Sequence, residues 1–376
     1  MEFSFKKWRA LKLRAKAAMS IPIVGVFCLC AVLMGISYSE LVNSTYENKR
    51  FEGEFSLLNS KASLSLESSA MRKYFLGLVT VDELERVKNK TDASLTELSN
   101  KVFRPKREEN LLDQKVSVPL ASLRSQVLSG QIAWPEVEKS IHDISVTLSS
   151  ITMRNMKNKL SSVQYERLEK LSILQKTLVE TSFFQNDLAY VVLRDMPLNS
   201  VQFSSLVRSL ESANFYREKI KTGAYQQDKT FVYFKNQQEG LWAHIIGHYD
   251  KVRSSVEQGR YGVQMPELLR SFNKFKLSIS GGIDFYEKKI NKLESLNLQK
   301  VRRSFMWMSI FCVSFFLVTS WLTVMFSRRA MFYLASEMNG HDIRVISKNS
   351  GKKQWSNKII PLSDYKKEEL QTKDVA

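Results

Sequence analysis

The sequence predicts an all-α protein: two transmembrane helices flank a large periplasmic helical-bundle domain, arranged as two stacked four-helix bundles. Three observations predict it. Two uncharged runs, 21–38 and 305–326, match the ~20 apolar residues that a helix needs to cross ~30 Å of hydrocarbon. Between them, apolar residues recur at spacings of three and four rather than two, the helical period. All three cysteines (Cys28, Cys30 and Cys312) fall inside the apolar runs, so the intervening domain must fold on packing alone, without disulfides.

Residues 1–18 form a basic N-terminus, with Lys6, Lys7, Arg9, Lys12, Arg14 and Lys16 ahead of the first run. Only Lys49 and Arg50 are basic in the segment just beyond it. This imbalance places the N-terminus in the cytoplasm and residues 19–38 as the first span. A cleaved signal peptide is the competing reading, with Ser37-Tyr38-Ser39 as its processing site. The apolar run, however, exceeds the ~7–15 residues of a signal core, which favours an uncleaved anchor.

The domain spans 39–304. Its first helix carries a seam of Phe51, Phe55, Leu58, Ala62, Ser65 and Ser69. A second segment, "VDELERVKNKTDASLTELSNKVF", breaks at "RPKREEN". A third, "LLDQKVSVPLASLRSQVLSG", stops at Gly130, a usual terminator. The next helix restarts near Pro135, where a missing N–H does no harm. A long stretch then runs to Met196, with a break near Asn158, and Ser200 is the candidate cap of the helix that follows. After an aromatic helix, a final one starts near Pro266 and continues through Ile290 and Leu293 into the second span, 305–326. Lys300, Arg302 and Arg303 flank that span on its outer side, so the first helix decides the topology. In the cytoplasmic tail, 327–376, a short helix is followed by alternating Ile343 and Val345, a weak hairpin signal turning at Asn349-Ser350-Gly351.

The net charge of +18 lies largely in the topology signals and mixed helix faces, with no dense basic stripe, so nucleic acid is not an expected partner. The chain shows no nucleophile elbow, Walker pattern or zinc signature, and no Glu-x-x-His. His244 and His248 share a helix face but lack the glutamate and third ligand of a zinc site. No enzyme activity, cofactor or metal is therefore expected.

One seam departs from the ordinary. Leu171, Leu174, Leu178, Thr181, Gln185, Leu188 and Val192 follow one helical stripe, and two polar side chains stand where leucines belong. An unpartnered buried Gln costs about 1–3 kcal/mol, so an interhelical hydrogen bond or a bound polar ligand should satisfy it.

Several segments resemble the nitrate- and nitrite-sensing (NIT) domain. They are "LASLRSQVLSGQIAWPEVEKSIHDISVTLSSI", "VKNKTDASLTELS" with Thr91 and Asp92, "TLVETSFFQNDLAYVVLRDMPLNSVQFSSLVRSLESA" and "MPELLRSFNKFKLSISGGIDFYEKKINKL". The resemblance implies an all-helical sensor that feeds kinases, chemoreceptors, cyclases or antiterminators. The family holds its flat anion with arginines of the first and central helices, whose planar guanidinium suits an oxyanion. Here the matching triplets read Lys61-Ala62-Ser63 and Gln185-Asn186-Asp187, so the resemblance implies the fold and broad role but not nitrate. The candidate ligand-binding residues are Lys61, Ser65, Thr181, Gln185 and Asn186, for a small polar or anionic ligand. Arg72 and Arg194 could supply charge at other levels. Residues 327–376 are too short for a kinase or cyclase, so the expected reading is a homodimeric membrane sensor that relays to a separate kinase, cyclase or other signalling protein. The alternative is a scaffold that binds no small molecule.

Overall fold

The computed structural model describes residues 2–103, 109–155, 160–222 and 229–349. Helix α1 spans Glu2–Phe75, α2 Val81–Val102, α3 Glu109–Leu112, α4 Val118–Leu128 and α5 Trp134–Asn155. They are followed by α6 Ser162–Arg194, α7 Ser200–Thr222, α8 Lys229–Ser254 and α9 Met265–Asn349. A π-helical turn, Asp113–Ser117, joins α3 to α4. Pro119 has no N–H to offer, and the widened turn ahead of it pairs Val118 N–H with the Asp113 carbonyl. Among the described residues there is no β-strand.

That finding corrects the tail. Ile343 and Val345 lie in α9, which stays helical through Asn349. A helix pairs its own backbone groups, whereas an isolated hairpin is only marginally stable. The expected turn at Ser350-Gly351 lies outside the described residues, as does Asn158.

The helix starts obey local hydrogen-bond chemistry. Thr80 and Glu83 form a capping box at α2, with both bonds at 3.3 Å. Ser161 and Gln164 do the same for α6, at 3.3 and 3.4 Å. At α7 the cap is Asn199 rather than Ser200. Asn199 Oδ1 accepts from Gln202 N–H at 2.8 Å, and Gln202 Oε1 accepts from Asn199 N–H at 3.2 Å. The residue three positions after Ser200 is Phe203, which has no side-chain acceptor to complete a box.

The chain divides into two compact units, 36–306 and 1–35 with 307–376. The larger unit holds two hydrophobic cores. In one, Phe51 and Phe55 of α1 join residues of α6, α7, α8 and α9. Phe184 is its aromatic centre, with ring centroids 5.6 Å from Phe272, 6.1 Å from Tyr249 and 6.2 Å from Trp242, within the range of favourable edge contacts. In the other, Leu57, Leu64 and Met71 of α1 join α2, α4, α5 and the π turn. Glu67, fully buried on α1, is held there by Arg124 of α4, with Nε and Nη2 donating at 2.6 and 3.0 Å. Arg124 also pairs with Asp92 at 2.8 Å. This bidentate arrangement supplies the compensation that a buried carboxylate requires.

The turns after α6 and α8 are locked together. Tyr261 donates its hydroxyl to the Met196 carbonyl at 2.5 Å, and Leu198 N–H donates to Val256 O at 3.2 Å. Gly259 has φ +70, and a Cβ there would lie 2.5 Å from Pro197 Cδ. Only glycine fits both the backbone angle and the space.

In the smaller unit, Cys30 Sγ lies 3.7 Å from the Cys312 carbonyl, and Phe27 meets Phe316 edge-on with centroids 6.0 Å apart. Most large apolar side chains of these segments point outward, among them Ile21, Val24, Phe27, Trp307, Phe311 and Trp321. Two helices are thus long and apolar enough to cross a membrane, within Ser20–Phe75 near the N-terminus and within Met265–Ala330. A soluble core helix would bury these side chains; here they remain available to lipid.

Candidate functional site

The seam that carries Thr181 and Gln185 packs inward as its spacing predicts: Leu171, Thr181, Gln185 and Leu188 are all buried. Gln185 Oε1 accepts a hydrogen bond from Lys276 Nζ of α9 at 2.7 Å. Lys276 faces Lys73 of α1, and burial, followed by Lys73, pushes its pKa down to about 6. Burial also lowers Lys73, against the pull of Glu83. Two facing amines cannot both hold a proton cheaply, so the pair as a whole resists full protonation.

Asn186 is equally buried. Its Nδ2 donates to Ser69 O at 3.0 Å and Ser69 Oγ at 2.9 Å, which ties α6 to α1. Thr181 Oγ1 and Asn186 Oδ1 bond no described atom. Beside Asn186, Asp187 forms an ion pair with Arg72, and burial still holds its carboxyl above the usual range. Arg72 also stacks over Trp134, 5.4 Å from the ring centroid. Arg194 lies over Tyr190 at 4.9 Å.

Of the five predicted residues, Gln185 and Asn186 thus join a polar layer that links α1, α6 and α9, and Thr181 lies one turn away on the same stripe. Lys61 and Ser65 have other surroundings. Ser65 Oγ donates to the Lys61 carbonyl of its own helix at 3.0 Å. Burial and then Lys176 lower the Lys61 pKa.

A cavity of about 360 Å³ opens between α1, α2, α6 and α9, and none of the five residues lines it. It arises where the facing helices carry small side chains. Ala62 and Ser63 of α1 stand opposite Ala93 and Ser94 of α2. Those two helices approach closely enough for Ser60 Oγ to donate to Ser94 O at 3.0 Å and Thr91 Oγ1 to Ser63 O at 3.3 Å. The space left toward α6 and α9 is bounded by Leu66, Leu178 and Ile283 on its apolar side and by Asn59, Gln175 and Glu287 among its polar groups. Gln175 Nε2 donates to Asn59 Oδ1 at 2.6 Å. Burial, followed by Asp284, raises Glu287 to about 7, while the amides of Asn59 and Gln175 pull the other way. Glu97, Lys90 and Ser280 complete the lining. Ala62, which stands where the NIT resemblance would put an arginine, is part of this wall.

Lys276 and Glu287 are the functional candidates that periodicity passed over. Both sit among lysines in stretches that read as solvated surface. A signal was present: Lys276 lies four residues after Phe272 and three before Ile279, and Glu287 four after Ile283 and three before Ile290. Each therefore lies on an apolar stripe.

No family model matches the chain, no curated protein matches it, and no solved structure matches it.

Proposed function

We propose that the chain is an inner-membrane, receptor-like protein whose 39–304 region lies in the periplasm and binds a small ligand in the cavity between α1, α2, α6 and α9. In this reading the region is a NIT-like sensor of two stacked four-helix bundles, working as a homodimer, with both termini cytoplasmic. The basic residues before the first apolar run support that orientation. The observation that carries the proposal is the composition of α9. It contributes Ser280, Ile283 and Glu287 to the cavity and also contains the apolar run 305–326. A ligand that binds one conformation better shifts α9 toward it, and a signalling partner reads the shift.

The test uses the full chain in lipid nanodiscs. A panel of small cations, anions and neutral polar compounds should contain at least one that raises the melting temperature. The shift should vanish when Ala93→Phe fills the cavity. If no compound shifts the melt, the scaffold reading takes its place. That reading draws support from Ala62 and from Asn186, which is engaged with Ser69 rather than available to a ligand.

A further inference from the structure

The cavity lining includes a buried amide whose oxygen lacks a partner and a carboxylate without a cation. Gln175 is 5% exposed. Its Nε2 is engaged with Asn59, while its Oε1 bonds no described atom. Glu287, on another helix of the same cavity, accepts hydrogen bonds from the side-chain amides of Asn59 and Gln175 but forms no ion pair among the described residues, and the charges that act on it, Asp284 and Glu97, are both acidic. Glu97 is bridged by Lys101 at 2.5 Å. Lys90 is an exposed cation of the lining and is not among the charges that bear on Glu287.

An oxyanion placed here would meet a carboxylate and an unpaired amide oxygen, and the cost of desolvating it would go uncompensated. A cation meets complementary groups. Among the described residues no aromatic ring lines the cavity, and the cage that holds a quaternary ammonium by its π-faces is not formed by them. The cation must instead donate hydrogens. The apolar wall suits a short alkyl chain, and the volume lies at the small end of ligand pockets.

We propose that the cavity binds a small aliphatic amine, with its ammonium hydrogens directed to the Glu287 carboxylate and Gln175 Oε1 and its alkyl chain against Leu66, Leu178 and Ile283. The proposal rests on reading this cavity as the ligand site and names the chemical class that the site takes. Because burial holds part of Glu287 in the acid form near neutral pH, an arriving ammonium ion draws out that proton. Binding is therefore coupled to proton release.

Isothermal titration calorimetry on the full chain in nanodiscs tests this, with n-butylamine and 1,4-diaminobutane as probes. Tetramethylammonium, nitrate and n-butanol are the comparison solutes, and each titration is run in two buffers of different ionisation enthalpy. The amines should bind saturably, and their apparent enthalpies should differ between buffers by an amount reporting proton release. Glu287→Gln, which keeps the shape of the side chain, should weaken amine binding about tenfold or more and remove the buffer dependence. Gln175→Leu should weaken it as well. Amine binding of undiminished strength in Glu287→Gln overturns the proposal. So does binding of nitrate or butanol but not the amines; if that binding is lost in Ala93→Phe, the cavity remains the ligand site and only the ligand class is wrong. Silence from every solute, alongside a native circular-dichroism spectrum, removes both the amine and the cavity.

Discussion

Lys276 of α9 donates to Gln185 of α6 at 2.7 Å, so a buried amide and a largely buried amine satisfy each other within the polar layer. Gln185→Leu removes the acceptor and strands the amine. The chain should lose about 1–3 kcal/mol of stability in chemical denaturation. The double variant Gln185→Leu, Lys276→Met removes both partners and should recover most of that loss. A double variant no more stable than the single one would contradict the pairing.

Lys276 and Glu287 give stability opposite dependences on pH. Lys276 titrates at about 6 when folded, against an ordinary 10.5. Between those values the unfolded chain binds the extra proton, so this lysine makes stability rise with pH, and its penalty is complete below about 6. Glu287 titrates at about 7, against an ordinary 4.5. Between those values the folded chain holds the extra proton, so stability falls as pH rises from 4.5 to about 7. Denaturation midpoints measured from pH 4.5 to 10 should therefore pass through a minimum near neutrality. Glu287→Gln should flatten the acid limb and Lys276→Met the alkaline limb.

Arg124→Met leaves Glu67 fully buried without its bidentate partner. About 3–5 kcal/mol of destabilisation is expected from breaking such a pair. Arg124→Met combined with Glu67→Leu should be markedly more stable than Arg124→Met alone, as read from thermal melts. Arg124→Lys should not restore the native value, because a single ammonium cannot donate in two parallel directions.

Gly259→Ala should cost about 2 kcal/mol or more, because the left-handed backbone angle and the Pro197 ring oppose the same methyl group. Gly262, also at positive φ (59°), has open space around it. Gly262→Ala should therefore lose only the backbone share, about 1 kcal/mol. Comparing the two midpoints separates strain from collision.

Most of the helices were legible because they are amphipathic or apolar and glycine or proline marks several of their ends, such as Gly130 and Pro135; the π-helical turn Asp113–Ser117, inside a stretch that reads as one helix, was not. The 3–4 period placed Phe51, Phe55, Leu171 and Leu188 in the interior, where they are. The Gln185 stripe was legible for the same reason. Its partner was not, because periodicity names the face of one helix and not the residue opposite. Lys276, Lys73 and Glu287 escaped because charge alternating with lysine usually marks a solvated surface, and only tertiary packing half-buries these three. The cavity was illegible for a further reason. It is defined by the small side chains of Ala62, Ser63, Ala93 and Ser94, on two helices whose register is fixed by backbone-directed hydrogen bonds of Ser60 and Thr91.

On α1, Phe55 belongs to one core and Leu57 to the other, with Ser56 buried between them. No loop separates the two cores along this segment, so the helix acts as a common axle. A slide or twist of α1 sufficient to repack one set of side chains must drag the other set with it. The two halves should then respond to perturbation together, as a single mechanical body rather than as beads on a string.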